Sequence, residues 1–307
     1  MTNNSSSARG WNNMDYDILV KIFMALNVMD LISGVSQVCS LWRSACCDPA
    51  LWKKLDLSNL NSNSSLYIPQ EPYAWSDDQS SKNLMKILKT GLNLSQGNVN
   101  CLIFHFYVFI ENEHLIYAAE RSRDLKRLIL PAWNQLSVRG FREAFKIWEG
   151  LESLTVPCLF SPMEIMQLIG TYCKNFSELK IMCPFDQDFA NALIKYLPKL
   201  KVLSLRCTMV YKDALIRILD NLKHLEVLNI SHCLFVLVQD SVVTSIMVYR
   251  QLDRKIIEKG SQLREFLTCQ TGSCSTCQRA AADEGILKWY EYEEARWRED
   301  EISSLAH

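Results

Sequence analysis

Cys269, Cys274 and Cys277 form a C-x4-C-x2-C run, the kind of thiol spacing that can hold zinc. A structural zinc site needs four ligands, however, and the next histidine along the chain, His307, lies thirty residues beyond Cys277. A RING-type ligase domain would need two such sites. The run is therefore read as three reduced thiols, with no metal expected. His232 beside Cys233 is the one adjacent Cys/His pair. Neighbours on a strand point to opposite faces, so the two do not make a nucleophile and its base. The remaining histidines, His105, His114 and His224, have no such companion. No Gly-x-Ser-x-Gly elbow, P-loop, His-Glu-x-x-His or dinucleotide fingerprint occurs. Neither a catalytic residue nor a cofactor is expected, and the chain reads as a binder.

The elements behind these residues fall into two kinds. Near the start, Ile18, Leu19, Ile22, Phe23 and Leu26 recur at helical spacing, and Leu31, Val35, Val38, Cys39 and Trp42 share a second face. The pattern breaks at Asp48-Pro49 and ends in Leu51-Trp52. Helices this short bury little by themselves and must dock, on their own chain or on a partner. From residue 99 the chain repeats an apolar-x-x-apolar-x-apolar unit. It begins at Val99, Leu125, Leu151, Phe176, Leu200 and Leu225, with spacings of 26, 26, 25, 24 and 25 residues. A seventh copy at Leu263 follows after 38, so an insertion, residues 234–260, sits before it. Helix-like stretches lie between the copies. One short strand and one helix per unit describes a leucine-rich repeat, and the architecture expected is α/β: a small all-α module, then a curved solenoid with a parallel sheet inside and helices outside.

Residues 14–26, the Asp30-Leu31 pair, Val38-Cys39-Ser-Leu-Trp42-Arg43 and Pro49-Ala-Leu51-Trp52 together resemble an F-box. With the repeats, the chain is similar to the F-box/LRR-repeat family, especially its plant members. One departure is Asp15, where the family usually has Pro; a Pro there pre-sets φ for the start of the helix, so its absence predicts slightly weaker docking. The resemblance implies a substrate-recognition subunit of a Skp1–cullin–F-box ubiquitin ligase. Met14, Ile18, Leu19, Ile22, Phe23, Leu26, Val38, Cys39, Trp42, Leu51 and Trp52 would then face a Skp1-type adaptor, which links to a cullin and its RING partner. Some of these must instead hold the module together. The unknown protein substrate would meet strand positions between the core residues, namely Arg127, Ile129, Lys180, Val202 and Asn229. The alternative is a leucine-rich interaction or signalling protein whose helices merely cap the solenoid.

The division expected is 1–9 disordered N-terminus, 10–57 F-box, 58–81 linker, 82–269 repeats and 270–307 tail, the last a cap over the open end of the solenoid. A net charge of -1 gives no basis for a nucleic-acid or membrane-surface partner. No apolar run approaches the ~20 residues of a spanning helix, and no secretory signal is visible. Twelve cysteines read as reduced, buried side chains, which places the chain in the nucleus, the cytoplasm or both.

Overall fold

The computed structural model describes residues 14–60, 78–132, 134–157, 159, 161–206, 208–239, 245–249, 252–269, 277–278, 297 and 299–304. Three short helices open it: α1 (Tyr16–Phe23), α2 (Val28–Ser33) and α3 (Ser40–Cys46), with 3-10 turns at Val35–Gln37 and Pro49–Leu51. The starts of α1 and α2 are each set by a local donor–acceptor pair. Asp15 caps α1 by accepting the Asp17 N–H, and its φ of -62° is the value a Pro would have imposed. The substitution noted in the sequence thus keeps the backbone and adds a cap. Asn27 caps α2 through the Asp30 N–H. Leu19, Phe23, Leu31, Ala45, Cys46 and Trp52 fill the small core, and the Trp52 indole N–H donates to the Cys46 carbonyl at 2.6 Å. That bond satisfies the one polar atom of a wholly buried tryptophan.

Strand β1 (Lys54–Asp56) leaves this module, and the chain continues through α4 (Asp78–Ser95), β2 (Cys101–Ile103), β3 (Ile110–Glu111) and α5 (Asn112–Arg121). Next come β4 (Arg127–Ile129), β5 (Asn134–Gln135), α6 (Val138–Ile147), β6 (Ser153–Val156), α7 (Pro162–Tyr172), β7 (Glu178–Ile181) and α8 (Gln187–Tyr196). The last stretch is β8 (Val202–Ser204), β9 (Met209–Tyr211), α9 (Lys212–Asn221), β10 (Val227–Asn229), β11 (Leu234–Gln239), β12 (Ser245–Tyr249), α10 (Arg254–Gly260) and β13 (Glu265–Leu267).

Eight strands form one sheet in the order β1-β2-β4-β6-β7-β8-β10-β13, every neighbouring pair parallel. Its register follows the repeat: Leu102, Leu128, Leu154, Leu179, Leu203, Leu228 and Phe266 pair in one continuous row. Helices α5 to α9 pack side by side on one face of the sheet, burying residues such as Leu115, Phe141, Ile165, Phe189 and Leu215 against the strand leucines. Between α7 and α8 the approach is close enough that a Cβ on Gly170 would sit 2.3 Å from the Tyr196 carbonyl oxygen. Buried Trp148 closes another such joint, its indole N–H donating to the Ser122 carbonyl one unit earlier at 2.8 Å.

Two elements cross boundaries expected from the sequence. The sheet starts at β1, inside the segment assigned to the F-box, because Lys54, Leu55 and Asp56 pair with Cys101, Leu102 and Ile103. Helix α4 starts at Asp78, inside the expected linker, and residues 61–77 lie outside the described set. The insertion is a hairpin, β11 antiparallel to β12, with β11 continuing parallel to β9, followed by α10.

Candidate functional site

Two surfaces carry the residues singled out in the sequence, and burial separates them sharply. On the helical module Ile18 is 51% exposed, Ile22 42% and Val38 55%. Tyr16 and Met24 are exposed beside them. Met14, Leu26, Cys39, Trp42 and Leu51 are half-buried. Trp42 packs edge-on against Phe23, ring centroids 5.5 Å apart. Leu19, Phe23 and Trp52 are at most 1% exposed, so they build the module's own core. Helical periodicity put Leu19 and Phe23 on the same apolar arc as Ile18 and Ile22. A short helix with apolar residues around more than half its circumference serves two contacts, and only packing shows which residues serve which. Met24 was missed because it lies off that arc; Tyr16 precedes the apolar run and marks its start.

The face of the sheet turned away from the helices is also different from the expectation. One register column there reads Ile103, Ile129, Thr155, Lys180, Ser204, Asn229, and the chain's own C-terminal segment lies along it. Trp297 and Ile302 pack on Cys101, Ile103 and Ile129, and Trp297 meets Phe106 edge-on at 4.8 Å. The Trp297 indole N–H donates to the Phe104 carbonyl at 2.7 Å. Thr155 Oγ1 donates to the Glu301 carbonyl at 2.9 Å and Lys180 Nζ to the Ser303 carbonyl at 2.5 Å. The Ser304 hydroxyl donates to Glu178 Oε2 at 2.8 Å, while Lys180 and Glu178 form an ion pair at 3.0 Å, both side chains under 5% exposed. Arg206 and Glu301 form a second, longer pair at 3.6 Å.

Of the five positions proposed for substrate, Ile129, Lys180, Val202 and Asn229 are therefore buried, and only Arg127 is half-exposed. The sequence reading had all five open to a partner. Alternation correctly put these residues on the face away from the helices, but nothing local says that a segment over a hundred residues later covers it. The tail also differs: Trp297 and the helix Glu299–Ile302 lie on the sheet face, not over the open end of the repeats. The rest of the expected tail helix, residues 284–296, is outside the described residues.

His105 sits where the strand β2 turn meets this covered face. Burial pushes its pKa down to about 4, and its Nδ1 accepts the Tyr107 N–H at 3.1 Å, which suits the neutral ring. Burial likewise pushes the Cys46 thiol up to about 11 and that of Cys173 up to about 12, so neither is a nucleophile. Elsewhere, His232 Nδ1 lies 3.3 Å from the Cys269 sulfur and 3.4 Å from that of Cys277; Cys274 is outside the described residues. The sequence looked to His307 for a partner to these thiols, and the structure brings His232 instead. Among the described residues no helix is long and apolar enough to cross a membrane.

Residues 16–58 match the F-box-like family model. F-box/LRR-repeat protein At3g48880 of Arabidopsis thaliana is 48% identical over 302 residues, covering 98% of this chain and 97% of the relative. F-box protein SKIP19 of the same plant is 29% identical over 228 residues, 73% of this chain and 69% of the relative. F-box protein FBW2, also from Arabidopsis thaliana, is 27% identical over 240 residues, 73% and 68% of the two chains.

Proposed function

The chain belongs to the plant F-box/LRR-repeat protein family, a family of non-catalytic adaptors, and from that premise we propose that it is the substrate-recognition subunit of a Skp1–cullin–F-box ubiquitin ligase. The observation that carries the reading is the exposed apolar set Ile18, Ile22, Met24 and Val38 on a module whose core is otherwise complete. Covering a large aliphatic side chain is worth roughly 1.5–3 kcal/mol, so four of them are a strong inducement for a partner. That partner would be a Skp1-type adaptor, and through it a cullin and RING protein. The mechanism is proximity: the repeats hold a protein substrate while the assembly brings charged conjugating enzyme to it, so that a bimolecular transfer becomes nearly intramolecular.

The eight in-register parallel strands, with helices on one face, support a curved leucine-rich solenoid whose concave side is the tail-covered face. Substrate contact on this side then involves Arg127 and the outer surface of the C-terminal segment, because Ile129 and Lys180 lie beneath that segment and Val202 and Asn229 are buried. Nucleus and cytoplasm are the compartments that suit such a role. A second reading has one observation in its favour: β1 extends the repeat sheet and α2 packs on α4, so the module also caps the first repeat. Capping alone does not account for the exposed stripe.

Co-expression with a Skp1-type adaptor and size-exclusion chromatography test the proposal. A stoichiometric complex is expected, abolished by Ile22→Asp in a chain that stays folded. A well-folded wild-type chain eluting without the adaptor would leave only the capping role.

A further inference from the structure

We propose that His232, Cys269 and Cys277 bind a zinc ion that clasps the start of the C-terminal segment to the ends of the last two strands of the sheet. His232 follows β10 by three residues and Cys269 follows β13 by two, and these strands are parallel neighbours. Both side chains therefore emerge at the same edge. Cys277 comes from a short helical stretch beyond them, so three separate pieces of chain converge.

The geometry is that of a ligand set. With Zn–S near 2.3 Å and Zn–N near 2.05 Å, tetrahedral angles put a ligating nitrogen and sulfur about 3.6 Å apart. The two sulfurs stand 3.3 and 3.4 Å from one nitrogen, His232 Nδ1, and all three ligand atoms lie within 4.8 Å of one another. One ring nitrogen has a single hydrogen or a single lone pair, and it cannot serve two thiols well in a hydrogen bond. An ion placed between the three atoms serves all of them. Neither cysteine is in a disulfide, and each is half-buried, dry enough to hold a metal and open enough to admit it. Two thiolates and a neutral imidazole balance the charge of a divalent ion, and thiolate with imidazole is the donor mix that selects zinc among common cellular cations. Cys274 lies outside the described residues; with three protein ligands, the fourth position of the tetrahedron is taken by a water molecule.

The backbone at His232 is a second, independent sign. The Cys233 N–H bonds to the Ile230 carbonyl at 3.4 Å, closing a turn in which His232 is the third residue with φ of 61°. That left-handed conformation favours Gly and Asn in such turns, with His among the few other residues that adopt it. A β-carbon is held there at some cost, and a strained residue aimed at two thiols points to a functional constraint. What the clasp would hold is also visible. Strand β13 is a three-residue strand with Glu265 and Leu267 exposed, paired among the described residues to β10 alone. Twenty residues beyond Cys277, Trp297 begins the segment that lies on the sheet face.

The test uses the full-length chain purified after expression in zinc-supplemented medium. Elemental analysis is expected to find one zinc per chain, and cobalt(II) exchanged into the site is expected to show thiolate charge-transfer and tetrahedral d–d absorption. C269S and C277S should each lose the cobalt thiolate signal. H232G removes the imidazole while suiting the positive φ, so it should lose zinc yet fold as well as wild type in the presence of a chelator. Hydrogen exchange at Glu265–Leu267 should rise about tenfold on chelation in wild type and stay unchanged in H232G. Wild type without zinc above background, or a combined H232G/C269S/C277S chain that keeps the wild-type stoichiometry, would overturn the proposal. Adaptor binding is read in a separate experiment, so failure of either reading leaves the other standing.

Discussion

The helical module and the far face of the sheet both carry residues of binding type, yet one is left open and the other is filled by the chain itself. On the module, aliphatic side chains stand in solvent next to a finished core. On the sheet, charged and apolar residues alike are sealed beneath Trp297 and residues 299–304. The difference is a matter of where the partner comes from. Under the proposed function, the exposed apolar stripe is covered by a second protein. A strip with Lys180 and Glu178 at its centre can be buried only if every charge finds a partner, and a covalently attached segment brings those partners without the entropy loss of association.

Substitutions can break this contrast. The largest effect is expected on the open side: Ile22→Asp places a carboxylate where the adaptor would bury it, and adaptor affinity should fall about a thousandfold, ~4 kcal/mol. Its melting temperature should stay near wild type, because Ile22 is 42% exposed, whereas Phe23→Asp one position later should unfold the module. Titration of adaptor by calorimetry, alongside thermal melts, checks both.

On the filled side, Lys180→Met leaves the Glu178 carboxylate buried without its lysine, and about 3 kcal/mol of stability should be lost in denaturant unfolding. Adding Glu178→Leu should restore most of it. If the single variant is as stable as wild type, the pair is not sealed as described.

A somewhat smaller effect comes from acid. The pKa of folded His105 is about 4, below the unfolded value of about 6.5, so the unfolded state binds the extra proton between them. Its contribution to stability is complete above pH 6.5 and is lost as the pH falls towards 4. His105→Phe should flatten that part of the pH–stability curve.

The mildest prediction sharpens the contrast. Trp297→Ala uncovers Cys101, now 7% exposed, and its alkylation should quicken about tenfold by mass spectrometry. Adaptor affinity should not change. Cys46 and Cys173, whose thiols burial holds at high pKa, should remain slow to react in both proteins.

Much of the architecture is legible in the sequence. The repeat spacing locates every strand of the main sheet beyond the module, because each apolar-x-x-apolar-x-apolar unit is a local pattern that places its own strand. The F-box-like helices are legible for the same reason. Less legible is the division of labour within the helices: Leu19 and Ile22 differ in burial, not in type. The covered sheet face and the thiol–imidazole cluster are not legible at all. Trp297 reaches the Phe104 carbonyl across 193 positions, and His232 reaches Cys277 across 45.

By itself, then, the sequence determined the unit: its period, its strand, its helix, and the apolar arc of the opening module. Periodicity is a short-range property, written into side-chain types a few residues apart. Tertiary structure alone decided which surfaces stay open, because burial depends on what arrives from elsewhere in the chain. It left Ile18 and Ile22 in solvent, drew residues 299–304 over Lys180, and set His232 against two distant thiols.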